Sequence, residues 1–196
     1  MKLFDTHCHF DFDVFQDDFA HQLELAQTQG VARILIPSVG PQNWARIQTL
    51  AEQHANLYYA LGFHPYFLED NVEQHLTELE GYLNQKGPQC VAIGECGSYQ
   101  QAMEWVKLGF FIGVGGTITY PRAKKTRDAI QKLPLENLVI ETDAPDMPIL
   151  GYQGESNHPA KLIHVFNELV ELHNGRKQSI ASQLWKNSNF AFSICE

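Results

Sequence analysis

Residues 5–11 read DTHCHFD, with two histidines one residue apart near the start of a chain of 196 residues. An apolar stretch, Leu3–Asp5, leads into them and predicts a short buried strand. In a strand, residues two apart share a face. Asp5, His7 and His9 therefore point one way, and Thr6 and Cys8 the other. Two imidazoles on one face at a strand end can reach a single metal ion. Asp5, one layer deeper, either orients such a ligand or bonds within the core. A chance pair of histidines is the plain alternative, so the decision rests on what other strands deliver to the same edge.

Further apolar runs fall at Val31–Pro37, Leu57–Gly62, Val91–Gly94, Phe110–Val114 and Leu138–Ile140. They are rich in Val, Ile, Leu and Phe with little polar alternation, as strands buried on both faces are. Helical spacing separates them: Phe15, Phe19, Leu23 and Ala26; Trp44, Ile47, Leu50 and Ala51; Leu76, Leu79 and Leu83; then Pro159–Leu172 and Gln178–Phe192. Gly30 and Gly109 stand where helices end. Alternating strands and helices predict a parallel α/β fold in one domain, residues 1–196. Pro145–Pro159 reads as a loop just after the last strand, where a barrel enzyme carries functional residues.

Composition limits the class. Hydrophobic residues make up 44% and charged residues 19%, as in ordinary globular domains. The net charge of -9 speaks against a generic nucleic-acid coat but not against phosphate held in a local metal-lined site. Neither an apolar run of about 20 residues nor a basic-then-apolar leader is visible, which predicts a cytoplasmic protein without a membrane partner. Cys8, Cys90, Cys96 and Cys195 form no paired framework and read as free thiols.

The other strand ends carry the chemistry. The third runs into His64, the fourth ends in Glu95, and the last ends in ETDAP (141–145), with Asp143 inside it. In parallel α/β folds functional residues gather at the C-terminal strand ends. His7, His9, Glu95 and Asp143 thus predict a divalent metal site for zinc, manganese or magnesium, with His64 nearby. Each has a bland alternative: a helix cap for His64, a loop carboxylate for Glu95, a surface charge for Glu141. A metal so held lowers the pKa of bound water, and Asp143 is the natural proton acceptor. PRAKKTR (121–127), after a glycine-rich turn, reads equally as a phosphate-binding junction and as a solvated helix face.

DTHCHFD, ALGFHP (60–65), AIGECG (92–97), GVGGTITYP (113–121) and ETDAP, in that order, resemble the TatD family of metal-dependent deoxyribonucleases. The resemblance implies a (β/α)8 TIM barrel of amidohydrolase type. It implies metal ligation by His7, His9, Glu95 and Asp143, with Glu95 bridging two metals. Asp143 would also assist the attacking water, and His64 would lie by substrate phosphate. The implied reaction is phosphodiester hydrolysis, with DNA as the nucleic-acid partner. One departure stands out. The family has two more strands after AIGECG, each ending in a metal-binding histidine. Here VAIGECG (91–97) runs into SYQQAMEW (98–105). Six of eight strands are present, and two strand–helix units of about 30 residues each are missing at Gly97–Ser98. The missing histidines favour one metal over two. Two other readings stay open: an amidohydrolase acting on a small ester or amide, and a non-catalytic metal-binding remnant.

Overall fold

The computed structural model describes residues 1–62, 103, 106–107 and 109–194. The expected strand at 91–94, the helix around Leu76–Leu83, His64, Glu95 and the Gly97–Ser98 junction lie outside the described residues. Five strands are described: β1 (Leu3–Asp5), β2 (Val31–Pro37), β3 (Leu57–Ala60), β4 (Ile112–Val114) and β5 (Leu138–Ile140). The helices of two turns or more are α1 (Phe19–Thr28), α2 (Pro41–Gln53), α3 (Lys124–Lys132), α4 (Leu162–His173) and α5 (Lys177–Ala191).

All strand pairs are parallel. β1, β2 and β3 form one sheet in that order, and β4 and β5 a second. The two meet beyond β1. Thr6 N–H donates to Ile140 O (3.1 Å), Asp143 N–H to His7 O (2.9 Å) and His9 N–H to Ala144 O (2.8 Å). The lateral order is therefore β4-β5-β1-β2-β3, with the last strand beside the first. That adjacency is what a closed (β/α) barrel requires at its seam. Closure between β3 and β4 is not seen among the described residues.

Both faces of the strands are covered, as the unalternating apolar runs predict. Leu3, Ile34, Ile36, Leu57 and Tyr59 belong to the main core, with Trp44 and Ile47 of α2 and Val165 and Phe166 of α4. Phe4, Leu35, Tyr58 and Ala60 form a smaller cluster, against which Trp185 of α5 and Phe192 lie. Trp44 is fully buried and its indole N–H donates to Gly62 O at 3.2 Å. Gly30 ends α1 at φ +88, a conformation that L side chains rarely adopt.

Several boundaries differ from the sequence expectation; the helix expected at Pro159–Leu172 starts at Leu162, after a 3-10 turn at Pro159–Lys161. The strands expected at Leu57–Gly62 and Phe110–Val114 are shorter, ending at Ala60 and starting at Ile112. The helix expected from Phe15 starts at Phe19, after a separate 3-10 turn at Asp13–Phe15. The cause is aromatic. Phe15 and Phe19 each pack on Phe10, with ring centroids 4.8 and 4.9 Å away. Gln16 donates to Phe10 O at 3.3 Å and holds the turn. The four-residue spacing of Phe15 and Phe19 serves a cluster around Phe10, not one continuous helix.

Candidate metal centre

The site grows from the seam between β1 and β5. Asp5 is fully buried, and its carboxylate spans the seam. It accepts the Thr142 amide at 3.0 Å and the Thr142 hydroxyl at 2.6 Å, and a longer bond from the His7 amide at 3.4 Å. Burial pushes its pKa up to about 7, against the pull of those donors. Thr142 is saturated in turn, its hydroxyl also accepting the Ala144 amide at 3.2 Å. Asp5 thus ties the HCH segment to the TDA segment through buried bonds to Thr142 and to the His7 backbone.

On this anchor three side chains converge. His7 Nε2 lies 3.4 Å from His9 Nε2 and 3.3 Å from Asp143 Oδ1. One ligand atom from each of the three falls within 4.8 Å of the others. Two imidazoles and a carboxylate are a donor set that zinc and other divalent ions accept. The spacing fits as well: bonds of ~2.1 Å in tetrahedral geometry put neighbouring ligand atoms ~3.4 Å apart. His9 is held by stacking on Phe12, with ring centroids 4.8 Å apart. Asp143 takes a left-handed backbone at φ 56, which aspartate tolerates better than most residues. Its side chain keeps about a third of its surface exposed, at 35%, whereas His7 keeps 15%.

A cavity of about 170 Å³ opens beside Asp143. Gly113, Gly115 and Gly116 line it, with Thr117, Thr126, Met147 and Glu141. Glu141, open at the sequence level to being a surface charge, is a wall of this cavity. A Cβ at Gly113 would sit 2.7 Å from its Oε2, so the glycine makes room for the carboxylate. The glycine-rich turn therefore faces two carboxylates rather than a nest of cations. Of PRAKKTR, Arg127 is committed to Glu168 at 2.5 Å and to Ile118 O, and Arg122 lies over the Tyr120 ring. Lys124 and Lys125 are exposed on α3.

The structure brings together His7, His9 and Asp143 among the expected residues; Glu95 and His64 fall outside those described. Cys8, beyond the end of β1, is fully buried in the main core with its thiol pKa raised by burial, a packing residue. Thr142 and Asn157 were not singled out by sequence. The one available signal for Asn157 is its place at the end of a loop, where asparagine often bonds backbone.

A family model for TatD related DNase matches the chain in two segments, residues 4–99 and 96–193. The Escherichia coli K12 protein YjjV, described as an uncharacterized metal-dependent hydrolase, is 36% identical over 255 positions, covering 98% of both chains. Those positions exceed the 196 residues present here by 59. A Haemophilus influenzae metal-dependent hydrolase is 30% identical over 262 positions, covering 98% of this chain and all of that one. The crystal structure of YjjV superposes with a TM-score of 0.94 over 98% of each chain. A TatD family hydrolase from Entamoeba histolytica, at 15% identity and TM-score 0.83, shares the fold. The fold is thus α/β of the TIM-barrel type.

Proposed function

This chain belongs to the TatD-related DNase family, and from that footing we propose that it is a hydrolase of phosphodiester bonds in DNA, working through one divalent metal. His7, His9 and Asp143 would hold the ion, with Glu95 as a further ligand. The convergence of the three described side chains within 4.8 Å carries the reading. The bound ion would supply Lewis-acid activation of water and of the scissile phosphate. The protein's own groups do the rest. Asp5 holds the His7 backbone amide and Phe12 stacks on His9, which limits the ordering left to binding. Asp143, which faces His7 and keeps a third of its side chain in solvent, would take the proton of an attacking water. His64 would contact substrate phosphate.

The two-segment family match and the excess of 59 positions over this chain's length support reading two strand–helix units as absent at Gly97–Ser98, since each unit is ~30 residues. With them go two histidines, which is why one metal is proposed and not two.

The test is cleavage of single- and double-stranded DNA and of bis(p-nitrophenyl) phosphate with added Mn²⁺, Mg²⁺ or Zn²⁺. Cleavage that stops with EDTA and falls by about 10²–10⁴ in Asp143→Asn is expected. Hydrolysis of p-nitrophenyl esters alone would instead favour the small-substrate reading. Metal binding without any hydrolysis would favour the non-catalytic one.

A further inference from the structure

Asp143 sits in the loop that follows β5, and one buried side chain gathers that loop. Asn157 is 1% exposed. Its amide nitrogen donates to Thr142 O at 2.9 Å and to Met147 O at 3.1 Å, using both N–H groups. Its backbone N–H donates to Pro145 O at 2.7 Å. Its side-chain oxygen accepts the His158 amide at 2.9 Å. Three carbonyls of the segment that carries Asp143 thus end on one residue. Two of them belong to the residues that bracket the loop: Thr142, next to Asp143, and Met147, itself left-handed at φ 51.

We propose that Asn157 is a positioning residue for the metal centre, holding Asp143 against His7 by clamping the Thr142 and Met147 carbonyls. The inference rests on reading His7, His9 and Asp143 as metal ligands. The physical reason is that Asp143 occupies a backbone region of few conformers and has a third of its side chain in solvent. Its aim therefore depends on the backbone beside it, and the Thr142 and Met147 carbonyls are held by Asn157. Asp5 and Thr142 fix the inner side through β1. Asn157 fixes the outer side. Outer partners of this kind typically change metal affinity 10- to 100-fold when removed.

The experiment is Mn²⁺ titration of the full chain, read by loss of the free-ion spin-resonance signal, together with melting with and without Mn²⁺. Three variants are compared with the wild type: Asn157→Ala, Asn157→Ser and Ile47→Ala. Ile47 lies fully buried in α2 and lowers stability by loss of core contacts alone. The Asn157 variants should bind Mn²⁺ at least 10-fold more weakly and lose most of the metal-induced rise in Tm, the serine less than the alanine. Ile47→Ala should melt lower both with and without metal, at unchanged affinity. If alanine gives no cooperative melt, the serine variant alone decides. Wild-type affinity in the Asn157 variants would overturn the proposal. Absence of Mn²⁺ binding by the wild type would show that the metal reading itself has failed, and the positioning role with it.

Discussion

Thr142 shows how much one ordinary hydroxyl can carry. It donates to Asp5 and accepts from Ala144, and both bonds are buried. Thr142→Val keeps the shape and leaves a buried carboxyl short of a donor. The expected loss is about 1–3 kcal/mol in denaturant unfolding. His158 offers a second residue-level test. Its Nδ1 accepts the Ala160 amide at 2.9 Å, and burial, with Lys161 nearby, lowers its pKa to about 4 from an ordinary 6.5. The folded chain therefore resists the proton that the unfolded chain takes up. Stability from this residue is complete above pH 6.5 and lost as pH falls toward 4. Asp5, raised to about 7, acts in the opposite sense, its contribution lost as pH rises from 3.8 to 7. Comparing wild type with His158→Asn at each pH cancels Asp5. The wild-type advantage in Tm should shrink between pH 6.5 and 4; an advantage independent of pH would refute this assignment.

At the level of elements, the contact between the turn after β4 and the loop after β5 is tight. A Cβ at Gly116 would lie 3.0 Å from Met147 O and 3.2 Å from Ile149 Cγ2. The first is backbone and cannot swing aside. Gly116→Ala is expected to cost about 1–3 kcal/mol by overpacking, and to disturb the carbonyl that Asn157 holds. Urea unfolding reads the first effect. The strands themselves were legible in sequence because a strand buried on both faces leaves a plain apolar run, and Leu138–Ile140 matches in both ends. Phe15 was not legible as a separate turn, since a four-residue aromatic spacing looks the same in a helix and in a cluster around Phe10. Thr142 and Asn157 were silent for a related reason. Their meaning comes from partners: Asp5 lies 137 positions from Thr142, and Thr142 lies 15 from Asn157.

For the whole molecule, the seam matters most. β5 lies beside β1, so residues 136 apart in sequence, His7 and Asp143, meet at 3.3 Å. The HxH and ETDAP motifs pointed to that meeting because a barrel must join its last strand to its first. Among the described residues no helix is long and apolar enough to cross a membrane. The central claim is that this seam holds a metal ion, and stoichiometry tests it most directly. The purified chain is equilibrated with Mn²⁺ or Zn²⁺, freed of loose metal and measured by elemental analysis, beside His7→Ala. One ion per chain in the wild type and essentially none in the variant is the expected result. No retained ion in the wild type, or equal retention in His7→Ala, would contradict a centre built on His7, His9 and Asp143.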